Sequence, residues 1–305
     1  MSNTTNRRDF MALMSVLGAA SFSTAASFAQ QSMPRRTIPS TGEELPVIGL
    51  GSSKPVSEIA TRGPGPLASV LRELVAHGGK LVDTWPRNAE NDAGFGRVIN
   101  EPDLRDALFV TTKVDQVGAA AGTRQFRDTQ RLYGRDTLDL TQIFSLTDLD
   151  THWPNLKEWK AAGDTRYIGV TVAEYGLYDQ LKSFLGRENP DFVQINYSIT
   201  ERRAEDELLP MLQDRGIAVI INRPFMNGSY FDRLENEPLP AWTAEFDCET
   251  WAHFSLKYIL ANPAVTCVLT ETSNPVHMAE NAMAAFGATP SAAARARMRE
   301  FIDRV

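Results

Sequence analysis

The sequence predicts an α/β fold of the (β/α)8, or TIM barrel, class, and three observations carry that prediction. Short apolar runs ending in polar residues occur eight times, at 47–50, 80–83, 108–113, 139–144, 167–170, 192–195, 217–222 and 266–269. Stretches with helical spacing lie between them, so strands and helices alternate. The 305 residues are 43% hydrophobic, which allows one large core or two small ones. Eight βα units in one domain favour a closed barrel. A doubly wound sheet is the competing architecture, but it usually has fewer strands.

Before the first barrel strand, the segment TIPSTGEELPVIGL at 37–50 holds two short β-like runs around Ser40, Thr41 and Gly42, a hairpin turn signal. Leu67, Val70, Leu71, Leu74 and Val75 then repeat at helical spacing until Gly78 and Gly79 stop the helix. Further helices are predicted at 92–100, 123–133, 154–162, 177–185, 204–215 and 249–261, each leading into the next strand. Gly163 and Gly216 end two of them, and Ser291 is placed to cap a final one. The one long connection, 225–247, contains Gly228, Pro238 and Pro240, which break any periodicity. Such a loop either shapes the barrel mouth or is a surface excursion.

The N-terminus reads as a targeting segment. Arg7 and Arg8 precede Asp9, Phe10 and an Ala/Ser-rich run to Phe28, and Ser27-Phe28-Ala29 is a small-x-small cleavage site. This resembles a bacterial twin-arginine signal, with an ordinary Sec signal or a membrane anchor as the alternatives. The run is short and polar for an anchor. The expected division is a signal peptide at 1–29, a linker at 30–36 and the barrel at 37–305. The expected destination is the periplasm, with the twin-arginine machinery as a partner and no stable membrane insertion after cleavage. The net charge of −7 argues against nucleic acid, whose phosphates require clustered Lys and Arg. Cys248 and Cys267 have no metal-ligand spacing, so no metal is expected. They read as core residues, although an oxidising compartment would permit a disulfide.

In a barrel of this class the chemistry sits at the C-terminal strand ends. Asp83 ends the second strand and Lys113 the third. Adjacent strands lie about 4.8 Å apart, so the carboxylate and the ammonium can pair. Such a pair can be catalytic or simply persist, because orphaning one buried charge costs about 3–5 kcal/mol.

Taken in order, LVDT (81–84), FVTTKV (109–114), DLTQIFSL (139–146), RYIGVT (166–171), VQINYS (193–198) and AVIINRPF (218–225) resemble the aldo/keto reductase family. The resemblance runs from about Thr37 to Ala285. It implies a hairpin plugging the barrel bottom, NAD or NADP as cofactor, and a small carbonyl or alcohol as substrate. It also implies an Asp, Tyr, Lys and His tetrad, of which Asp83 and Lys113 match two members. The family pattern D-T-x-x-x-Y-G-x-A-E reads DTWPRNAE at 83–90, two residues short, with the Tyr and Gly among the losses. Phe144 stands where the family has its His.

For the cofactor, the resemblance implies that Gln194 contacts the carboxamide and Tyr197 stacks on the nicotinamide. Ser198, Arg223 and Thr272 complete the set with Glu280 and Asn281, the last two at the adenine. The family's Ser-Asn after the fifth strand reads Thr171-Val172. Glu271 and His277 stand where many members hold a 2′-phosphate with Lys and Arg. A carboxylate facing a phosphate is repulsive, which favours NAD over NADP, or weak binding of both. In place of the tyrosine, Lys113 is a candidate proton donor and His152 lies near the rim. Arg87 could polarise an oxygen without titrating. Two functions follow. One is an oxidoreductase of aldo/keto reductase type with a divergent mechanism. The other is a non-catalytic exported barrel that binds a small ligand or a protein.

Overall fold

The structure is a computed structural model and describes residues 32–305; the expected signal peptide at 1–29 lies outside the described residues. Two short antiparallel strands come first, β1 (Arg35–Thr37) and β2 (Glu44–Pro46), with Arg35 opposite Pro46 and Thr37 opposite Glu44. Gly42 takes φ 81° in the turn between them, a left-handed conformation that glycine adopts without a Cβ clash. The expected linker is thus shorter than predicted, since Arg35 and Arg36 belong to β1. Arg36 is held there because its guanidinium donates to the carbonyls of Leu260, Asn262 (2.8 Å) and Val265, at and just beyond the end of the helix Trp251–Leu260.

Eight parallel strands then close a barrel: β3 (Ile48–Gly51), β4 (Leu81–Asp83), β5 (Phe109–Val114), β6 (Leu138–Phe144), β7 (Thr165–Thr171), β8 (Phe192–Asn196), β9 (Ala218–Asn222) and β10 (Cys267–Glu271). Closure comes from β10, which pairs with both β9 and β3. The alternation of side chains along each strand divides the core in two. Leu81, Phe109, Leu140, Tyr167, Phe192 and Cys267 point into the barrel and pack with Ile38 and Leu45 of the hairpin. The hairpin therefore plugs the closed end. Odd-phase neighbours such as Val82, Val110 and Val193 point outward and pack under the helices. Gly169 lets β7 approach β8, because a Cβ there would collide with the carbonyl of Phe192.

Two short helices that the spacing does not predict, Ser53–Ser57 and Ile59–Arg62, follow β3; the others fall near the predicted positions, with three differences. The helix predicted from Pro154 begins earlier and spans Leu149–Ala162; Pro154 sits inside it and forfeits one backbone hydrogen bond. The helix predicted at 204–215 is broken at Leu208 into Arg203–Glu207 and Leu209–Asp214, because Pro210 has no N–H to continue the ladder. The long connection at 225–247 folds into a helix at Ser229–Leu234 and a 3-10 turn at Ala241–Phe246. Cys248 and Cys267 are free and buried in different clusters, Cys267 inside the barrel and Cys248 outside it.

Candidate active site at the barrel mouth

Strand register builds the centre of the site. Asp83 is the last residue of β4, and its β5 partner is Thr111. Two residues further along β5, on the same face, comes Lys113. Its Nζ donates to both carboxylate oxygens of Asp83 at 2.6 Å each and to the Thr84 carbonyl at 3.1 Å. Thr111 Oγ1 also donates to Asp83, and Ser52 fixes the Asp83 backbone through its N–H (2.8 Å) and hydroxyl (2.9 Å). Asp83 is 7% exposed and Lys113 3%, so the pair is nearly withdrawn from water. Burial pushes the Lys113 ammonium below its ordinary pKa; Asp83 opposes that shift and the charge of Arg87 adds to it.

The pair opens onto a cavity of about 540 Å³. Its walls are largely apolar, with Trp85, Phe144, Phe225, Phe231 and Leu269, and Gln194, Asn222, Arg223, Lys54 and Glu271 add polar groups. No tyrosine or histidine is among the described residues that line it. The shortened loop after β4 is closed by Trp85, whose ring stacks on Phe144 with centroids 5.6 Å apart. The Arg87 guanidinium lies 3.9 Å from the Trp85 ring centre, a cation–π contact. Trp85 also lines a second depression of about 620 Å³, which holds Arg87 but neither Asp83 nor Lys113. The tryptophan is therefore the wall between the two. A narrower groove of about 350 Å³ adjoins the cavity and shares Phe225, Phe231 and Glu271 with it.

Several buried amides of the barrel interior have unmet valence. Thr171 Oγ1 donates to Gln194 Oε1 at 2.8 Å, but Gln194 Nε2 has no acceptor. Asn222 Nδ2 donates to the Val172 carbonyl at 3.3 Å, while its Oδ1 receives nothing. Gln142, paired in register with Lys113, has no protein partner for either amide atom. Buried polar groups without partners are rare and costly, and two of these, on Gln194 and Asn222, line the cavity, which marks a place for a ligand.

The sequence-predicted site residues divide by position. Gln194 and Arg223 reach the cavity, and Thr272, Glu280, Asn281 and His277 line the adjoining groove. Asn281 belongs to the helix Pro275–Met283, which Asn274 caps by accepting from the Val276 N–H at 3.0 Å. Tyr197 and Ser198 do not reach either space. Tyr197 is fully buried in the outer core, where its hydroxyl bonds Glu205 and accepts from Arg295 at 2.9 Å. Burial and the Glu205 carboxylate push that phenol far above its ordinary range. Ser198 turns the chain after β8, accepting from the N–H groups of Thr200 (3.2 Å) and Glu201 (2.9 Å). Continued one residue past β8, strand alternation turns Tyr197 outward, three positions from the inward Gln194, whereas Ser198 is spent on the turn. His152 is likewise withdrawn, with Nε2 at 2.5 Å from the Gln116 carbonyl and its ring packed against Gly122. Arg87 lies across Trp85 from the cavity rather than in it.

Asn222 was not anticipated, although the alternation in AVIIN, with Ala218 and Ile220 inward, places it on the inner face. Phe231 was not anticipated either, and no strand period reaches it.

A closed parallel barrel with a buried Asp–Lys pair at its C-terminal mouth is the class that fold and site define. The model of the aldo/keto reductase family matches residues 48–298, and the chain belongs to that family. An NADH-specific methylglyoxal reductase of Escherichia coli K12 is 32% identical over 85 residues, 28% of this chain and 25% of that protein. The chain spans about a quarter to two thirds of the length of the curated relatives it matches (25%, 55% and 66%). Among solved structures, the holo form of an aldo-keto reductase from Bacillus halodurans superposes with a TM-score of 0.72 at 21% identity, covering 88% of this chain and 96% of that one. An aldo/keto reductase from Klebsiella pneumoniae, in complex with NADP and acetate, superposes with a TM-score of 0.73 at 23% identity, covering 87% and 94%.

Proposed function

We propose that this chain is an exported, nicotinamide-dependent oxidoreductase of small carbonyls or alcohols. In our reading its proton-handling centre is reduced to Lys113 and Asp83. The observation that carries the reading is the shared lining of the Lys113 cavity and the groove beside the helix Pro275–Met283. Together they offer one recess for a ligand with a reactive head and a long polar tail.

The residues present fit such a ligand. The free Gln194 Nε2 can donate to a carboxamide oxygen, and the free Asn222 Oδ1 can accept from a carboxamide nitrogen. Thr272, Glu280 and Asn281 would hold the adenosine end at the groove. The carboxylate of Glu271 favours NAD over NADP there. Among the relatives, the Escherichia coli protein is named as NADH-specific and the Klebsiella structure as a complex with NADP, so both nucleotides occur among similar proteins. A nicotinamide supplies or accepts a hydride when bound. The chain itself must hold a proton beside the reacting oxygen, and Lys113 is the buried one of the two lysines that line the cavity. Asp83 holds the ammonium in place and takes up the charge change. Loss of a dedicated phenol acid costs about 10²–10⁴ in rate, so turnover should be slow.

Family membership favours this reading over a non-catalytic barrel. Titration with NADH and NADPH, followed by nicotinamide fluorescence, tests it: no binding of either at millimolar concentration would overturn it. If binding occurs, unchanged carbonyl turnover in Lys113→Met would remove the proposed role of Lys113. Glu271→Lys should improve NADPH affinity; no change would place Glu271 away from the phosphate.

Export is part of the same proposal and rests on Arg7, Arg8 and the Ser27-Phe28-Ala29 site. A nicotinamide enzyme sent to the periplasm leaves its reducing supply behind. It then either carries its nucleotide tightly bound or does not use it for turnover. Lys at both arginine positions should leave unprocessed precursor in the cytoplasm, and normal export of that variant would refute the twin-arginine route.

A further inference from the structure

We infer that Lys113 captures small aldehydes covalently, its Nζ condensing with the carbonyl carbon to form an imine. The inference uses the same cavity as the proposed function but needs no nucleotide. Among the described lysines that line this cavity, Lys113 is buried and Lys54 is exposed at the mouth. Lys257 is the other buried lysine among the described residues, but its Nζ donates only to the carbonyls of Phe286 (2.6 Å) and Ala288 (3.1 Å), with no base beside it, and it lines neither this cavity nor the adjoining groove. An ammonium in water is a poor nucleophile because it keeps its proton; a desolvated one beside a base can release it. Lys113 meets both conditions: burial weakens its hold on the proton against the opposing charge of Asp83, and both Asp83 oxygens lie 2.6 Å from Nζ, where one can receive it.

The geometry also lacks any phenol between the amine and the cavity. Trp85 and Phe144 stack instead into an apolar wall, which disfavours water where an imine would hydrolyse. The step balances without redox change. A proton passes from Nζ to an Asp83 oxygen, and the amine lone pair forms the C–N bond as the carbonyl π pair moves to oxygen. That oxygen takes the proton from Asp83, giving a carbinolamine. Asp83 then takes one of the two remaining N–H protons, the freed nitrogen lone pair expels the hydroxyl, and that proton leaves with it as water. The sum is ammonium plus aldehyde to protonated imine plus water.

Trapping tests this without nucleotide. The full-length protein is incubated with glycolaldehyde and sodium borohydride, digested, and the reduced adducts are mapped by mass spectrometry. The Lys113 peptide should be labelled faster than the Lys54 peptide by about an order of magnitude, even though Lys54 is the more exposed. An unlabelled Lys113, or one labelled no faster than Lys54, overturns the inference. The comparison is made within the wild-type chain, so it does not depend on a variant that folds. Lys113→Arg, checked for folding by circular dichroism, should lose the fast adduct and keep the slow ones. Nucleotide titration is read separately: failure to trap leaves the oxidoreductase reading standing, and failure to bind nucleotide leaves this one standing.

Discussion

The two ends of the barrel treat their polar groups differently. At the closed end, the Tyr167 hydroxyl donates to Glu43 at 2.6 Å and lies 2.7 Å from Thr41 Oγ1, while Arg166 pairs with Glu43 and with Asp139 at 2.7 Å. The rings of Phe109, Tyr167 and Phe192 fill the space above them, Tyr167 meeting Phe192 edge-on at 5.4 Å. At the open end, Gln142, Gln194 and Asn222 keep unpaired amide atoms. Backbone strain collects there too. All seven described non-glycine residues with positive φ follow β6 or β9: Ser145, Leu146 and Asp148, then Arg223, Met226, Asn227 and Asp247. Left-handed backbone at such residues costs of order 1–3 kcal/mol each and persists where surrounding structure enforces it. The closed end is thus where the fold gains stability, and the open end is where it carries unmet valence that a ligand can relieve.

Four measurements would break or sharpen that contrast. The largest effect should come from the floor: Phe192→Ala is expected to cost about 3–5 kcal/mol in denaturant unfolding. A loss below 1 kcal/mol, within the range of an ordinary surface change, would mean the floor is not the stabilising layer. Next is the ion pair at the mouth. Asp83→Ala strands the Lys113 ammonium and should cost about 3–5 kcal/mol, with Lys113→Met in the double variant recovering part of it. Simple additivity of the two would show that they do not interact.

Asp92 gives a smaller, pH-dependent effect. Its carboxylate is buried beside the mouth loop and accepts only from the Arg87 N–H (3.0 and 3.2 Å), so burial pushes its pKa up from 3.8 to about 6. A raised carboxylate favours the protonated folded state. Its contribution is present below about pH 4 and lost as pH rises through about 6. Asp92→Asn should therefore remove a fall of about 1–2 kcal/mol between those values, read from melting curves. An unaltered pH profile would show that Asp92 titrates normally. The smallest effect belongs to Gln142→Leu. Removing unpaired amide atoms should leave stability level or raise it by up to about 1 kcal/mol. A loss of 2 kcal/mol would mean the side chain is satisfied, and the mouth less frustrated than described.

Much of this architecture could be read in the chain. The eight apolar runs mark the eight strands within about two residues, because an inward-facing strand in a closed barrel has no wet side and needs a continuous apolar stretch. The adjacency of Asp83 and Lys113 followed from their being the ends of consecutive strands. Tyr197 shows where motif likeness outran physics. It stands three positions after Gln194, and residues an odd number apart on a strand face opposite sides. The period was available and would have placed Tyr197 outward, against Glu205 and Arg295. His152 was hidden for another reason: nothing local says that Gly122 leaves room for its ring.

The sequence by itself determined the alternation of strands and helices, the family, the acidic balance and the pairing of Asp83 with Lys113, because these depend on local period and on neighbours in strand order. Only the tertiary structure decided that Trp85 closes the shortened loop against Phe144, and that Gln142, Gln194 and Asn222 share one interior. Those groups sit on β6, β8 and β9, and nothing near any of them in sequence fixes which way the others face. Closure of the barrel does, by turning the inner faces of β6 and of the neighbouring strands β8 and β9 toward a common axis.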